Sequence, residues 1–421
     1  MLQPGSKGWI KKYFDMVDKG QIELNNEFPK KVDRESFIHA ALGRTGIIFG
    51  FPSRLHYAKE LDDSKWTSEE KLKLLLFESH LLVYRTKQVE DSFDQNHFID
   101  SLVEFYGNYN ASSITKMFSY FLKESVEEKL ESILTKRVDI KMNLLDNKFW
   151  VNYLNNVFIY LDVILFNDFL VNKKSSTLYN YDEMAMNSLN AIALASFSDG
   201  EIEHQERSMF KVFLASANLS DLQREIVEAR FEKGGDFNDF TDQSQTNWLF
   251  KRFLFDLSVF FIFANHSAAA EEQQHLKKLC AFLNLSDKEF NEGLALTEQF
   301  IINNQEKIPF LKTSSSVEKV YSSLTKRWVK ILGRNKDKLA VELKQSKELV
   351  SLIRKSATKE LTKEEKETVK TQFKDIVKSM PSLAIFMLPG GAFLLPLILK
   401  IIPDLVPSAF RDNEVEKEKI N

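Results

Sequence analysis

Apolar residues along most of the chain recur at the three- and four-residue spacing of an amphipathic α-helix. The stretch 71–84 shows this pattern directly after Thr67 and Glu70, whose hydroxyl and carboxylate can cap the free N–H groups of a first helical turn. In 149–170, apolar residues occur almost all round the helix, which is typical of a buried helix in a bundle. The pattern predicts an all-α fold.

Residues that break helices are scarce and unevenly placed. The 421 residues include 14 glycines and 9 prolines, about half the usual share of these two residues in soluble proteins. This excludes collagen-like, low-complexity and turn-dense all-β chains. No proline occurs between Pro52 and Pro309, whereas five lie between Pro381 and Pro407. We therefore expect long helices over most of the chain and a different structure at its C-terminal end.

Gly43, Gly46 and Gly50 form a small glycine cluster. Their spacing is not the G-x-G-x-x-G pattern of dinucleotide-binding loops, and no predicted strand precedes them. We predict a helix end or a close contact between helices here, and a phosphate site is the less favoured alternative.

The middle of the chain contains an internal repeat. The sequence Asn-Leu-Ser-Asp occurs at 218–221 and again at 284–287, each time after an amphipathic stretch. Two helix pairs related by duplication would explain this pattern.

The first copy of the repeat is preceded by Leu-Ala-Ser-Phe-Ser-Asp-Gly-Glu-Ile-Glu-His-Gln-Glu at 194–206. This segment resembles the tellurite-resistance TerB-like domain, an all-helical family with an acidic Asp-Gly-Glu turn and an association with metal binding. The resemblance implies a divalent cation, Ca²⁺ or Mg²⁺, on oxygen ligands. The candidate ligands are Asp199, Glu201, Glu203 and Glu206. The alternative is a plain acidic N-terminus of a surface helix, and the second copy has lost the Asp-Gly step.

Composition limits the remaining chemistry. The formal net charge is −3 and there is one cysteine, so the whole molecule is not a binder of polyanions such as DNA, and an intramolecular disulfide is impossible. The seven histidines show no metal-ligand spacing, and the common catalytic motifs are absent. We expect no enzyme activity, no catalytic residues and no cofactor apart from the divalent cation at the acidic turn.

A basic stretch follows the repeat. Between Lys319 and Lys359 there are 12 Lys or Arg and 3 Asp or Glu. The stretch is either solvated charge or a surface attracted to anionic lipid or to RNA phosphates. The candidate residues for lipid or RNA are Lys326, Arg327, Lys330 and Arg334.

A charge-free apolar segment lies near the C-terminus, at 382–399. Eighteen helical residues extend roughly 27 Å, which is marginally enough for a bilayer core of about 30 Å. Pro389 and the two glycines after it would break a helix in the middle of this segment. Three alternatives remain for this segment: one broken membrane span, a re-entrant hairpin, or a hairpin buried in a soluble fold. The N-terminus lacks the apolar stretch of a signal peptide, so we expect the bulk of the chain in the cytoplasm.

The same region resembles the membrane segment of the LETM1 family. The resemblance rests on Leu-Thr-Lys-Glu-Glu at 361–365, on Phe-Leu-Leu-Pro at 393–396, and on the residues Pro381, Pro389, Pro396, Lys400, Pro403 and Pro407. That family consists of mitochondrial inner-membrane proteins of cation–proton homeostasis that are also called ribosome-binding. Together with the TerB-like segment, the resemblance suggests the bacterial LETM1-related, biofilm-associated proteins.

Two positions of the apolar segment bear on ion transport. Ala392 stands where the family typically has an acidic residue, and an intramembrane carboxylate is the natural ligand for a proton or cation. Its absence argues against an exchanger. Lys400 either reaches the membrane interface or serves in a cation path, and the first is favoured.

These observations predict an all-α, multi-domain helical protein with a C-terminal proline-broken hydrophobic membrane segment. The predicted parts are an N-terminal helical domain (1–185), a TerB-like domain with an internal repeat (186–305), a basic connector (306–360) and a LETM1-like region (361–421). The expected function is that of a non-catalytic, membrane-tethered scaffold or accessory protein, linked to envelope or cation homeostasis and biofilm formation. It would reside at the bacterial inner membrane.

Two alternative functions stay open. One is a component of K⁺/H⁺ or other cation/proton transport, and the other is ribosome binding through the basic stretch and the LETM1-like region. The expected partners are membrane lipid, the ribosome, and a second copy of the chain joined through the C-terminal segment.

Overall fold

The computed structural model describes most of the chain and leaves several segments undescribed. The described residues are 2–24, 32–87, 93–107, 125–139, 156–172, 181–197, 202, 204–241, 247–264, 270–308, 325, 328–329, 332–356, 359–378, 380, 399, 401–403 and 406. Within these ranges the backbone is helical or lies in turns and loops, and it forms no β-strand. The all-α prediction is confirmed.

The chain divides into two units, Met1–Ser316 and Val317–Asn421. In the first unit the described helices are α1 (Trp9–Asp18), α2 (Arg34–Gly43), α3 (Ser68–Lys87), α4 (Gln95–Gly107), α5 (Val126–Val138), α6 (Ile159–Asn172), α7 (Tyr181–Ser196), α8 (His204–Ser216), α9 (Asp221–Glu232), α10 (Trp248–Ala264), α11 (Ala270–Phe282) and α12 (Asp287–Asn304). In the second unit they are α13 (Lys336–Gln345), α14 (Lys347–Ser356) and α15 (Lys363–Lys378).

The most buried helix of the first unit is α10. Its sequence is apolar on nearly every face, and its residues from 252 to 264 are all buried. It packs against α7 and α12, and also against α2, α6 and α11. A helix that is apolar all round must be surrounded by other elements, so α10 organises the core of this unit. The predicted boundary near residue 185 lies inside the unit, where α6 packs on α7.

The two copies of Asn-Leu-Ser-Asp have the same local structure. Asn218 and Asn284 both have a positive φ, 52° and 53°, the left-handed conformation that asparagine tolerates better than most residues. Ser220 and Ser286 then form capping boxes at the starts of α9 and α12. Helix α9 packs on α7 as α12 packs on α10, and α7 packs on α10. Each copy of the repeat therefore comprises three helices, α7–α8–α9 and then α10–α11–α12, and the predicted helix pair was one helix short.

The glycine cluster forms a tight loop after α2. Gly43 ends that helix, and a Cβ added there would lie 2.6 Å from Cδ1 of Leu296 on α12. Gly46 and Gly50 have φ values of +83° and +65°, and a Cβ on Gly50 would lie 2.5 Å from Cα of Val157. Glycine is required at both positions because of the backbone conformation and the close packing. The predicted helix end and close contact are both present.

Candidate functional site

Helix α15 begins the region that resembles the LETM1 family, and its start is fixed by local hydrogen bonds. The Thr362 hydroxyl accepts from the N–H of Glu365 at 3.3 Å, and the Glu365 carboxylate accepts from the N–H of Thr362 at 3.0 Å. Lys355 on α14 also donates to Glu365, at 2.5 Å. The capping box therefore sets the first turn of α15, and the bond from Lys355 joins this turn to α14.

The apolar stripe of α15 is buried within the second unit. Its residues lie at helical spacing and each is at most 4% exposed: Val369, Phe373, Ile376 and Val377. Helix α15 packs on α14 and α13, whose own buried residues include Leu343 and Ile353. Burial of a stripe at this spacing is what holds such a helix to its neighbours. The polar face of α15 is left for solvent or a partner.

Part of the predicted basic surface falls on described residues. Arg334 is exposed in the turn before α13, and Lys336, Lys344 and Lys347 are also exposed. The other predicted contacts for lipid or RNA lie outside the described residues: Lys326, Arg327 and Lys330. The described part of the basic stretch thus presents cationic side chains on its surface, as an anion-binding face requires.

Most of the predicted membrane segment lies outside the described residues. This applies to Pro381, Pro389, Pro396, Lys400 and Pro407, whereas Pro403 is described and lies in a short helical turn after the buried Ile401 and Ile402. Among the described helices, none combines the length and the apolar character that a membrane crossing needs. The span, the re-entrant hairpin and the buried hairpin thus all stay predictions.

Of the four residues predicted to bind a metal ion, one lies among the described residues. Glu206 lies in the first turn of α8 and is 9% exposed, and the three other candidates, Asp199, Glu201 and Glu203, lie outside the described residues. Within the part of the chain that the structure describes, no group of three or more His, Cys, Asp or Glu residues is arranged to hold a metal. The metal site is still a prediction.

Two buried charge clusters in the first unit were not predicted from the sequence. In the first, Arg137 donates from Nε and Nη2 to the two carboxylate oxygens of Asp162, each at 2.7 Å. The hydroxyl of Tyr106 donates to the same carboxylate at 3.1 Å. The two charged side chains are only 4% and 0% exposed. The pair joins α5 to α6 in the core.

The second buried cluster joins α2 to the repeat. Nε2 of His39 lies 2.5 Å from Oδ2 of Asp256, and an Arg252 nitrogen lies 3.7 Å from the other oxygen of that carboxylate. Arg252 also donates to the backbone carbonyl of Glu289 at 2.5 Å. The sequence signal for both clusters is an aspartate flanked by apolar residues within a largely apolar helix, Asp162 in α6 and Asp256 in α10. Such charges are rarely buried unless they are paired.

The comparisons with known proteins concern the C-terminal part of the chain. Residues 361–421 match the family model described as "LETM1-like, RBD". This range begins two residues before α15 and includes the charge-free segment. The match supports a LETM1-related C-terminal region in this chain.

A curated relative agrees with this family match. The LETM1 domain-containing protein YLH47, mitochondrial, from Saccharomyces cerevisiae is 30% identical over 121 residues, which are 28% of this chain and 23% of the relative. The match therefore spans about a quarter of each protein. No solved structure matches the chain. The resemblance of 186–305 to the TerB-like domain stays a prediction, and what the comparisons support is a C-terminal region that is similar to LETM1-family proteins.

Proposed function

We propose that the chain is a non-catalytic, membrane-tethered accessory protein of the LETM1-related kind. The observation that carries the proposal is the family match over 361–421, which contains both the amphipathic α15 and the charge-free residues 382–399. In this proposal the first unit is a helical scaffold outside the membrane, and the charge-free segment tethers it.

The basic surface of the second unit would support such a tether. Arg334, Lys336, Lys344 and Lys347 are exposed, and each cationic side chain near an anionic membrane surface contributes about 1 kcal/mol of attraction. The proposed link to envelope or cation homeostasis and to biofilm formation rests on the family resemblance. The bacterial inner membrane is the proposed location.

Fractionation of cells tests the tether. The full chain is compared with a chain truncated after Met380 and with a control truncated after Phe410, which keeps the charge-free segment. We expect the full chain and the control to stay in the membrane pellet after a carbonate wash, and the Met380 truncation to appear in the supernatant. If all three pellet alike, the proposed anchor is wrong.

Ribosome binding is a second candidate function, favoured by a specific observation. The matching family model carries "RBD" in its description, which we interpret as a ribosome-binding domain, and the basic stretch just before it can contact RNA phosphates. Under this proposal the second unit contacts ribosomal RNA through its cationic face.

Co-sedimentation with ribosomes at several salt concentrations tests this candidate. We expect binding to fall steeply with salt, and to fall at least tenfold when Lys326, Arg327, Lys330 and Arg334 are changed to Glu. A matched control reverses four exposed lysines of the first unit: Lys11, Lys12, Lys19 and Lys233. If binding survives reversal of the basic stretch but not of the control, this surface is not the ribosome contact.

A further inference from the structure

Helix α9 carries two parallel stripes of exposed side chains. Leu222, Ile226 and Ala229 are four and then three residues apart, so they share one face of the helix, and all three are exposed. A second stripe of the same spacing runs beside the first, one position earlier along the chain. It consists of four exposed acidic residues: Asp221, Glu225, Glu228 and Glu232.

Large apolar side chains are exposed both on α9 and next to its end. Leu222 is 68% exposed and Ile226 is 38% exposed. Phe197 is 42% exposed and lies beside Gly234, because a Cβ added to that glycine would be 2.3 Å from Cγ of the phenylalanine ring. These are three of the seven large apolar side chains that are exposed in the described part of the chain. Clustered apolar residues of this kind, unlike single ones, mark contact surfaces.

The opposite face of α9 holds the helix to the rest of the unit. Val227 and Phe231 are 1% and 2% exposed, and α9 packs on α7. The ring of Phe231 also stacks on that of Phe210 in α8, with 3.9 Å between the ring centroids. Phe231 is nine residues, or two and a half turns, after Leu222. The two exposed stripes therefore lie away from the face that packs.

The duplicated helix α12 has a charged pair where α9 has its apolar pair. Counted from the shared Asn-Leu-Ser-Asp, Leu222 and Ile226 correspond to Lys288 and Glu292. The charged atoms of these two residues lie 3.6 Å apart, in the i to i+4 arrangement that is common on helix surfaces. The fold of the repeat therefore does not require apolar residues at these positions.

Helix α12 is also covered on a side that α9 leaves open. Ala295 of α12 is 1% exposed, whereas its counterpart Ala229 is exposed. Besides packing on α10, α12 contacts the loop after α2, where the ring centroids of Phe300 and Phe49 lie 4.5 Å apart. The stripes of α9 are exposed, so no described residue covers them in this way.

The acidic stripe limits the chemistry of what could cover α9. The carboxylates of Glu225 and Glu228, in the middle of the stripe, make no ion pair or hydrogen bond with any described residue, whereas the two residues at its ends pair with Arg224 and Arg207. A neighbouring row of positive charges would be attracted, and anionic lipid or RNA phosphates would be repelled.

We propose that the outer face of α9 is a docking surface for a basic amphipathic helix of a partner protein. Helices that are recognised in this way place apolar anchors three or four residues apart, which is the spacing of Leu222, Ile226 and Ala229. The small side chain of Ala229 leaves room for a larger apolar side chain of the partner. Lysine or arginine residues beside the partner's apolar stripe would pair with the acidic stripe.

Binding of a synthetic peptide to the full-length chain tests the surface. The probe is a fluorescently labelled peptide with two copies of Leu-Lys-Lys-Leu-Leu-Lys-Leu, followed by fluorescence anisotropy with phosphatidylcholine nanodiscs present and nanodiscs alone as the blank. We expect saturable binding that weakens at least tenfold in L222K/I226E. This variant recreates the charged pair of α12 and leaves the net charge unchanged, so the loss would come from the apolar stripe. No saturable binding above the blank, or equal binding by L222K/I226E, would overturn the proposal.

Two matched variants separate docking from general attraction of a cationic peptide. V126E/V171K removes two exposed apolar side chains elsewhere in the first unit, also without a change in net charge, and should bind as tightly as the unchanged chain. E225Q/E228Q should weaken binding and make it less sensitive to salt, because two charges that face the lysines are lost. Binding at low salt that E225Q/E228Q leaves unchanged would contradict the basic nature of the partner.

Hydrogen exchange distinguishes docking from a structural role of the stripe. The peptide should slow exchange at 221–232 in the unchanged chain and not in L222K/I226E, and without peptide the two proteins should unfold at the same temperature. If L222K/I226E fails to fold, L222Q, at the 68% exposed position, gives the same comparison. Protection by the peptide elsewhere in the chain but not in α9 would contradict the site.

Sedimentation of the chain without peptide tests a second copy of the chain as the occupant of this face. Any self-association of the unchanged chain should persist in L222K/I226E, because two acidic stripes repel each other. Self-association that L222K/I226E abolishes would make this face an interface between copies, and the proposed partner would then be wrong.

Discussion

The two units use charged residues in different ways. In the first unit, Arg137 and Asp162 are almost completely buried and make two hydrogen bonds of 2.7 Å to each other. In the second unit, Lys355 and Glu365 lie at 2.5 Å but are 41% and 25% exposed. Water screens the second pair and not the first. The first unit therefore encloses a charged pair within its apolar core, where each charge depends on its partner, whereas this pair of the second unit lies at the surface, where water can replace either partner.

The largest expected effect comes from breaking the buried pair. Asp162→Ala leaves the buried charge of Arg137 without its carboxylate partner, which should cost about 3–5 kcal/mol of unfolding free energy. Urea denaturation of the full chain measures this loss. The double variant Arg137→Met/Asp162→Leu serves as the control, and it should lose less than Asp162→Ala because no isolated charge is buried. A double variant as unstable as the single one would mean that the pair itself contributes the stability.

The apolar stripe of the second unit should give the next largest effect. Phe373 is 1% exposed, and Phe373→Ala creates a cavity that should cost about 3 kcal/mol. Hydrogen exchange should show the loss in α13, α14 and α15 and leave the protection of α7 and α10 unchanged. A matched control is Val341→Ala, at a 55% exposed position of α13. Equal loss of protection in α7 and α10 would contradict the assignment of this stripe to the packing of α13, α14 and α15 alone.

A smaller effect is expected from pH in the core of the first unit. Burial lowers the pKa of His80 to about 4, below the value of about 6.5 for an unfolded histidine. The unfolded state therefore binds the extra proton between pH 6.5 and 4, so stability is full above pH 6.5 and falls as the pH drops through this range. We expect His80 to account for about 2 kcal/mol of the loss between pH 7 and pH 5.

The variant His80→Leu isolates this contribution. Its loss of unfolding free energy between pH 7 and pH 5 should be about 2 kcal/mol smaller than that of the unchanged chain. Protonation of Asp168 has the opposite effect, because burial raises its pKa to about 6 and the folded state then gains stability as the pH falls. Asp168 is present in both proteins, so its contribution cancels in the comparison. An equal pH dependence in the two proteins would show that His80 titrates normally in the folded state.

The smallest effect is expected at the exposed pair. Lys355→Ala removes the contact with Glu365, and exposed pairs of this kind contribute less than about 1 kcal/mol. The capping box of Thr362 and Glu365 stays intact in this variant, so α15 should keep its first turn. Urea denaturation at low and high salt measures how much the pair contributes to the free energy of unfolding. A loss as large as that of Asp162→Ala would remove the contrast between the two units.

Much of the helical fold follows from the sequence because the signals are local. The capping residues Thr67 and Glu70 mark the start of α3, and the repeated Asn-Leu-Ser-Asp marks two equivalent turns. The buried pairs could not be predicted in the same way. His39 and Asp256 are 217 residues apart, and only the packed core shows that they meet. An aspartate flanked by apolar residues in a helix signals burial but does not identify its partner.

The C-terminal region could be recognised from the sequence because it has a proline and apolar pattern that a comparison with known families detects. The family match at 361–421 agrees with the resemblance inferred from those residues.

The most direct test of the membrane tether is flotation of the purified full chain with vesicles of phosphatidylethanolamine and phosphatidylglycerol. The test variant is Leu394→Lys in the charge-free segment, and Val341→Lys on the exposed face of α13 is the matched control. A lysine near the bilayer centre costs about 3 kcal/mol, which corresponds to roughly 100-fold in partitioning. We expect the unchanged chain and the control to float and Leu394→Lys to stay at the bottom of the gradient. Flotation of all three proteins to the same extent would contradict the tether.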